Sequence, residues 1–203
     1  MERNPTFHFV FYEVKNAPSR SDKGFPHWFM AKSSKKVAIL VEDLYQVLEV
    51  WYPWLRLREA GIEPVFVGTG KKDTYGSKEG YPAKADVSID QINAKDFDGV
   101  IIPGGYAPDI LRRYEKVIKF VQDIDKQGKV VGSICHGGWV LVSADICRDR
   151  KSTCFFAIKD DMIAAGAKYI DQEVVVDKNL VTSRKPEDLT AFMVEIIKLF
   201  KSG

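Results

Sequence analysis

Residues 129–138 read Lys-Val-Val-Gly-Ser-Ile-Cys-His-Gly-Gly, a short apolar run followed by a glycine-rich turn. The run is typical of a buried strand, and a helix is predicted to begin near Gly137. Cys135 therefore falls at the carboxyl end of a strand, on a tight turn into a helix. Such a turn needs small residues two positions before and two after its central side chain, because larger ones would collide there. Ser133 and Gly137 occupy those positions.

The position of Cys135 makes it a candidate nucleophile. A helix that begins directly after the cysteine points its N-terminus at the sulfur, and the partial positive charge there favours the thiolate. Backbone N–H groups at the turn can also stabilise an oxyanion. His136 stands beside it and is the only histidine after residue 35. A lone cysteine is usually a small buried hydrophobe, which is our interpretation of Cys147 and Cys154.

Strand-like and helix-like segments alternate along the rest of the chain. Strands are predicted at residues 36–41, 64–67, 98–102, 129–134, 152–155, 173–177 and 179–182, and helices at 46–60, 108–126, from about 137, 159–165 and 186–201. A hairpin excursion is predicted at residues 71–90, which are rich in Gly, Lys and Asp. Continuous apolar strands that alternate with helices indicate an α/β fold with a mostly parallel sheet covered on both faces.

Polar residues and glycines follow three of these strands. Glu42 ends the first strand, the pair Gly104-Gly105 follows another, and Cys135 ends a third. Because the carboxyl ends of parallel strands form the binding crevice of such a sheet, we expect these residues to meet there. Two glycines let the backbone approach a bound group and direct N–H donors at it.

Four acidic residues are candidates for proton transfer, and the residue pattern alone does not choose among them. Glu42 and Asp43 end a strand, while Glu49 lies early in the first helix, where it could equally be a solvated position. Asp109 follows Pro108, and proline with an acid in the first turn is an ordinary helix start.

The composition of the 203 residues argues against several classes of protein. An apolar run long enough for a membrane-spanning helix is absent, three cysteines argue against a disulfide scaffold, and a net charge of +2 is too small to indicate a nucleic-acid partner. One histidine beside one cysteine gives too few ligands for a metal site. Residues 1–35 carry a net charge of +3 and lack the apolar region of a signal peptide. We therefore expect an N-terminal extension at residues 1–35 and one α/β domain at residues 36–203.

Several stretches together resemble the ThiJ/PfpI superfamily, which includes intracellular cysteine peptidases and the parkinsonism-associated deglycase. They are Ser133-Ile-Cys-His-Gly137, residues 101–109 (Ile-Ile-Pro-Gly-Gly-Tyr-Ala-Pro-Asp) and residues 49–53 (Glu-Val-Trp-Tyr-Pro), while residues 158–162, 173–177 and 183–189 are similar to the PfpI branch in particular. The resemblance runs from about Lys36 to the C-terminus. It implies a flavodoxin-like three-layer sandwich related to class I glutamine amidotransferases.

The resemblance also implies roles for individual residues. Cys135 matches the family nucleophile, Glu49 the buried acid that hydrogen-bonds to it, and His136 the histidine that follows it. Asp109 falls where PfpI-type members carry a Glu that reaches the histidine of a neighbouring subunit. The expected protein is therefore a homo-oligomer whose Cys135, His136 and Asp109 form a triad across an interface.

The oxyanion and substrate-binding positions implied by the resemblance are Gly104, Gly105 and Gly137. Three departures from the family pattern bear on the pocket. Asp109 is one methylene shorter than Glu, Tyr106 stands where Arg is common, and Gly138-Trp139 stands where Pro-Gln or Gln-Leu is common. The loop from Glu42 to Glu49 is also about two residues longer than in PfpI, so the rim of the pocket, and with it the substrate, can differ.

Two enzyme activities use these residues, and the sequence does not choose between them. In amide hydrolysis the thiolate attacks, His136 moves the proton and water releases the acyl group from a peptide. In glyoxalase or deglycase chemistry the thiolate adds to a small α-oxoaldehyde or its protein adduct, and hydrolysis gives a hydroxy acid. Neither activity needs a metal or an organic cofactor.

A redox-sensing or chaperone-like stress protein is the alternative, since an exposed cysteine of low pKa oxidises readily. A glutamine amidotransferase subunit is disfavoured, because that chemistry uses a histidine far along the chain and residues 137–203 contain none. Free thiols and the missing signal peptide predict a cytoplasmic protein, with neither a membrane nor a nucleic acid as partner.

Overall fold

The computed structural model describes residues 35–202, so the extension predicted at residues 1–35 lies outside it except for Lys35. The strands are β1 (Lys36–Val41), β2 (Glu63–Gly68), β3 (Thr74–Gly76), β4 (Pro82–Lys84), β5 (Val87–Ser88), β6 (Gly99–Ile102), β7 (Val130–Ile134), β8 (Lys151–Ser152), β9 (Lys168–Tyr169), β10 (Val174–Asp177) and β11 (Leu180–Ser183). The helices are α1 (Val47–Glu59), α2 (Ala107–Leu111), α3 (Glu115–Lys126), α4 (Gly138–Ser143), α5 (Lys159–Ala164) and α6 (Leu189–Ser202). None of these described helices is long and apolar enough to cross a membrane.

In the described range, seven strands form the central sheet in the order β10-β11-β7-β6-β1-β2-β5. Each neighbouring pair in it is parallel except β10–β11. The middle strands β1, β6 and β7 are buried almost throughout, as expected for a sheet with helices on both faces. Helices α1 and α6 pack together against it, and α3 packs with α4. The flavodoxin-like α/β sandwich expected from the sequence is confirmed.

The register of the middle strands brings the candidate residues to one edge of the sheet. Ile101 pairs with Gly132 and Ile102 pairs with Ser133, so β6 and β7 end side by side. The glycines after β6 therefore lie beside the turn after β7. This adjacency follows from parallel pairing alone, before any side chain is considered.

The prediction of one continuous helix at residues 108–126 is wrong, because the structure has two helices there. Helix α2 ends at Leu111 and α3 begins at Glu115. Tyr114 has an extended backbone, with φ −99° and ψ 109°, which ends the helical hydrogen-bond ladder. The guanidinium of Arg112 donates to the hydroxyl of Ser143 on α4, at 2.9 Å, so a tertiary contact accompanies the break.

The strand predicted at residues 152–155 is shorter than expected, since β8 ends at Ser152. The next backbone donors bond outside a sheet ladder. Thr153 N–H donates to the hydroxyl of Thr182 at 2.9 Å, and Phe155 N–H donates to the carbonyl of Cys135 at 3.2 Å. The chain leaves the small β8–β9 sheet in order to run beside the turn that carries Cys135. The hairpin predicted at residues 71–90 is confirmed as β3 and β4, followed by the edge strand β5.

Arg150 anchors a polar cluster in which its guanidinium meets two other chain segments, the end of α3 and the turn between β10 and β11. It donates to the Asp125 carboxylate at 2.8 Å, to the Asn179 side-chain oxygen at 2.9 Å and to the carbonyl of Asp177. Asn179 also donates to Asp125 at 2.9 Å. The Arg150 and Asp125 side chains are only 16% and 21% exposed, so water replaces these bonds poorly.

Replacing Arg150 with alanine is expected to lower the free energy of unfolding by about 3 kcal/mol. The Asp125 carboxylate loses its cationic partner and keeps only Asn179 as a donor, and the carbonyl of Asp177 and the side-chain oxygen of Asn179 lose the donor that Arg150 gave them, in a largely buried place. Urea denaturation followed by circular dichroism measures this. Arg148→Ala is the matched control, since Arg148 pairs with Asp145 at the surface, with both side chains about 60% exposed, and such pairs contribute about 0.5 kcal/mol. Equal effects of the two substitutions would contradict the anchoring role.

Candidate active site

The turn after β7 has the geometry that its small residues predict. Cys135 has φ 61°, in the left-handed region, so its side chain is turned out of the path of the strand. A methyl group on Gly137 would lie 2.6 Å from the carbonyl oxygen of Ile102 and 2.8 Å from Oγ of Ser133. Small residues at 133 and 137 are therefore a packing requirement of this turn.

Gly104 lies beside the cysteine and leaves no room for a side chain. A methyl group there would lie 2.6 Å from Cβ of Cys135 and 2.7 Å from Oε2 of Glu49. The Gly104 N–H instead donates to Oε2 of Glu49 at 2.6 Å. Three chain segments, the end of β6, the turn after β7 and the first turn of α1, thus share one buried space.

Helix α1 turns Glu49 into this space. The helix begins after Gln46, whose side-chain oxygen accepts the N–H groups of Leu48 and Glu49 at 2.6 and 3.2 Å. Such an N-cap fixes the first turn of a helix. Glu49 faces inward from that turn and is fully buried. Of the four acidic candidates, it is the one that contacts Cys135.

Burial raises the pKa of Glu49 to about 7, although the hydrogen bond from the Gly104 N–H and the nearby Cys135 thiol act in the opposite direction. The other carboxyl oxygen, Oε1, is buried and has no hydrogen-bond partner among the described residues. Burial, followed by the negative charge of Glu49, raises the pKa of the Cys135 thiol to about 12. The N–H groups of Gly105 and His136 point at the sulfur and lower that pKa in part. The two side chains are one coupled acid pair, from which Glu49 loses its proton first.

The expectation that the turn favours the thiolate is therefore wrong for the resting site. The residues after Cys135 form a 3₁₀ turn, Cys135–Gly137, before the six-residue helix α4 begins. The attraction of these few N–H groups is outweighed by burial, since Cys135 is only 7% exposed, and by the adjacent carboxylate. The resting cysteine is a thiol with a base beside it.

His136 lies against the same sulfur, with Nδ1 3.3 Å from Sγ of Cys135. Its ring contacts the rings of Trp139 and Phe155, at centroid distances of 5.3 and 4.9 Å. Trp139 is itself fixed by a 2.7 Å hydrogen bond from Nε1 to Asp161. Burial, and after it the charge of a nearby lysine, lowers the pKa of His136, so the imidazole is neutral at pH 7.

Asp109 does not join these residues within one chain. Its carboxylate is paired with Arg113, one helical turn further on, and its side chain is 46% exposed. In the described part of the chain it makes no hydrogen bond to His136. The structure thus brings together Cys135, His136, Glu49, Gly104, Gly105 and Gly137, and leaves Asp109 at the surface.

The other two acidic candidates support the hairpin β3–β4. Glu42 is buried, and its two oxygens accept the Thr69 hydroxyl and the Asp43 N–H. Asp43 pairs with Lys72 and accepts the Gly76 N–H at 3.1 Å. These bonds fix the hairpin on the ends of β1 and β2, and neither carboxylate contacts Cys135.

Two parts of the site were not predicted from the residues. Phe155 belongs to a segment that the sequence pattern assigns to a strand, and only the tertiary fold places its ring on His136. Lys78 belongs to the turn between β3 and β4, and its charge lowers the pKa of both Glu49 and His136. Its local sequence, Gly-Ser-Lys-Glu-Gly, is that of an ordinary solvated turn.

Within residues 35–202, no group of three or more His, Cys, Asp and Glu side chains is arranged to hold a metal ion. The polar groups at the site are a thiol, a carboxyl, an imidazole and backbone N–H donors. This set is suited to proton transfer and to the stabilisation of an oxyanion formed by attack of the thiol.

Comparison with known proteins shows the family of this chain. The model of the DJ-1/PfpI family matches residues 35–199. The deglycase PH1704 of Pyrococcus horikoshii is 43% identical over 166 residues, which cover 82% of this chain and 99% of that protein. The putative cysteine protease YraA of Bacillus subtilis is 39% identical, with 83% and 99% covered. A two-domain protein from Anabaena variabilis, with DJ-1/ThiJ/PfpI-like and ferritin-like domains, matches at a TM-score of 0.80 and 42% identity, over 82% of this chain and 48% of that one.

The buried Glu49 makes stability depend on pH in a definite direction. Its pKa rises from 4.5 to about 7 on folding, so between these values the folded chain binds more protons than the unfolded chain. Stability therefore falls as the pH rises through this interval. Glu49→Gln cannot ionise at this position. The free energy of unfolding of the variant minus that of the wild type is therefore expected to increase by about 3 kcal/mol from pH 4 to pH 8.

Urea denaturation at four pH values between 4 and 8 measures this difference. Glu59→Gln, on the exposed end of the same helix, is the control and is expected to show no comparable change with pH. A difference between Glu49→Gln and the wild type that stays constant across the range would contradict the raised pKa.

Proposed function

This chain belongs to the DJ-1/PfpI family, and on that premise we propose that it is a cysteine-dependent hydrolase of α-oxoaldehydes and of their adducts on proteins. The observation that carries the proposal is the packing of Glu49 and Cys135 around Gly104 inside a single chain, where Oε2 of Glu49 and Sγ of Cys135 lie 2.7 and 2.9 Å from the place that a Cβ on Gly104 would take. This pair supplies a nucleophile and its base without any group from elsewhere. The deglycase name of the relative from Pyrococcus horikoshii agrees with this chemistry.

In the first step, the ionised Glu49 takes the proton of the Cys135 thiol while the sulfur attacks the aldehyde carbon. A C–S bond forms, and the C=O electron pair moves to the oxygen. The N–H groups of Gly105 and His136, which point at the sulfur, are placed to stabilise that oxyanion. A carboxyl whose pKa is about 7 is well matched to this transfer at neutral pH.

The resulting hemithioacetal is converted to a hydroxy acid by proton transfers alone. The oxyanion is first protonated to a hydroxyl. Neutral His136 then takes a proton from the sulfur-bearing carbon to give an enediol, a proton is returned to the neighbouring carbon, and the hydroxyl proton of the first carbon passes to the oxygen of the second, which gives a thioester of the 2-hydroxy acid. Water then cleaves the thioester and the sulfur regains its proton. Methylglyoxal and water thus give lactate. In an adduct, the bond from the carbinol carbon to the protein side chain breaks as the C–S bond to Cys135 forms, the side chain leaves with the proton that Glu49 took from the thiol, and the same later steps give lactate. No electron leaves the site, so no redox cofactor is needed.

Amide hydrolysis is the second candidate, favoured by the name of the relative YraA, a putative cysteine protease. This reaction needs His136 to give a proton to the leaving amine, and a histidine in that role is normally oriented by an acid. We propose that Asp109 of a neighbouring protomer is that acid, in a homo-oligomer. Its half-exposed carboxylate, held only by Arg113, is available at the surface for such a contact.

The alternative of a redox sensor receives less support. That function needs an exposed cysteine of low pKa, whereas Cys135 is buried and its pKa is raised. The three cysteines are unpaired, which suits a reducing compartment, and we propose a cytoplasmic location.

Lactate formation from methylglyoxal tests the main proposal. Cys135→Ser is expected to abolish turnover, and Glu49→Gln to lower kcat/KM about 100-fold, the size of a lost general base. Cys147→Ser is the control, since that cysteine is buried away from the turn, and it is expected to keep full activity. Turnover that survives Cys135→Ser would overturn the proposal for both aldehydes and peptides.

The interface proposal is tested separately with a fluorogenic peptide. Asp109→Asn is expected to lower peptide cleavage about 10-fold or more while methylglyoxal turnover changes less than about twofold, because only the amide route uses the partner's acid. Asp123→Asn, which removes a similar surface ion pair on α3, is the control. A chain that is monomeric by light scattering and cleaves the peptide at the full rate would remove Asp109 from the mechanism.

A further inference from the structure

We propose that Lys78 is a specificity-determining residue at the mouth of the site, and that it selects α-oxoaldehydes carrying a carboxylate over neutral ones. The inference rests on the proposed function, because it names the substrate class of that same cysteine. Three observations support it: the backbone contacts that place Lys78, the reach of its charge, and the weakness of its existing ion pair.

Backbone hydrogen bonds place Lys78 beside the oxyanion donors. Its N–H donates to the carbonyl of Tyr45 at 3.0 Å. Tyr45 forms one bridge with Ser77 and another with Gly105. The turn of the hairpin, the segment around Tyr45 and the glycine after β6 are therefore three hydrogen-bonded chain segments side by side. Tyr45 is fully buried and its hydroxyl donates to the carbonyl of Tyr81 at 2.7 Å, which fixes the far end of the same turn.

The charge of Lys78 acts on both side chains that contact the nucleophile. It lowers the pKa of Glu49 and that of His136, although the two belong to different elements of the fold. The charge of Glu79 acts on Glu49 in the opposite direction, whereas on His136 the charge of Lys78 acts without that opposition. On the His136 side of the cysteine the ammonium therefore attracts an anion held there. The anion attracted in this way is the substrate's own carboxylate.

The ion pair that Lys78 already makes leaves its ammonium available. Its Nζ lies 3.6 Å from Oε1 of Glu79, and both side chains are 41% exposed. A pair of this kind is weak because water screens it. The other oxygen of Glu79 accepts the N–H of Val47 at 3.4 Å, at the start of α1, so Glu79 is held by a second bond. By contrast, Lys72 of the same excursion is in closer contact with its partner, Asp43.

The substrate that fits this site is an α-oxoaldehyde whose ketone carbon carries a chain that ends in a carboxylate. With 4,5-dioxopentanoate, the thiol adds to the aldehyde carbon as before, the same proton transfers give a thioester, and water releases 2-hydroxyglutarate. Substrate plus one water equals product, with no oxidant or reductant. The substrate's carboxylate takes no part in bond making and serves only for recognition by Lys78.

The first test compares 4,5-dioxopentanoate with its neutral methyl ester. The wild type is expected to prefer the acid about fivefold in kcat/KM, mostly through KM, which is the size of effect that one partly screened charge supplies. Lys78→Met is expected to abolish the preference, Lys78→Arg to keep it, and Lys84→Met, an exposed lysine of β4, to leave it unchanged. The preference is expected to shrink in 0.5 M NaCl.

The second test needs no turnover. Iodoacetate and iodoacetamide both alkylate the sulfur of Cys135 through their iodine-bearing carbon. The first reagent is an anion and the second is neutral, and mass spectrometry follows the rate of each reaction. Lys78→Met is expected to lower the iodoacetate-to-iodoacetamide ratio about fivefold, whereas Lys84→Met is not. An unchanged ratio in both tests, with methylglyoxal turnover intact, overturns the role of Lys78 and leaves the proposed function standing. If no α-oxoaldehyde is turned over, the proposed function fails, and the alkylation ratio still decides whether Lys78 selects anions at Cys135.

Discussion

The close approach of the Gly104 backbone to a buried carboxyl group organises this site. A glycine at the end of β6 lets the first turn of α1 and the turn after β7 come within bonding distance of each other. The hydrogen bond from Gly104 compensates part of the cost of burying Glu49, and the rest of that cost appears as a raised pKa. A side chain at position 104 would push Cys135 and Glu49 apart, so the packing of the site and the ionisation of both side chains depend on the same contact.

The aromatic residues around His136 depend on the turn after β7 for their positions. The carbonyl of Cys135 accepts the N–H of Phe155, which draws the chain after β8 across the turn and sets an aromatic ring on His136. Trp139, the second residue of α4, makes an edge contact with the same imidazole. A left-handed cysteine is costly in backbone energy, and these contacts hold it in place. The neutral state of His136 follows from the same enclosure.

Much of the fold was predictable because it depends on local patterns. Alternating apolar strands and helices indicate a parallel sheet, and the small residues at 133 and 137 indicate the turn at Cys135. The break near Tyr114 was not predictable, since no glycine or proline marks it and the Arg112–Ser143 contact beside it is tertiary. The raised pKa of Cys135 was also not predicted. The local sequence indicates the turn and the helix after it, but it does not show that the thiol is buried or that a carboxylate far away in sequence lies beside it. The residue pattern left four acids open, the family resemblance pointed to Glu49, and nothing in the local sequence marked Lys78.

The hairpin β3–β4 has a further consequence for how such a protein can change over time. Its base is fixed by Glu42, Asp43 and the Tyr75 hydroxyl, whereas its turn reaches the mouth of the site. Cys135, Glu49 and Gly104 belong to the turn after β7, to α1 and to the end of β6, so the exposed side chains of the hairpin turn can be exchanged while its backbone bonds to Tyr45 are kept. Substitutions at these few exposed positions change the charge at the mouth of the site and leave its buried packing in place, which makes the turn a natural place for laboratory evolution to begin.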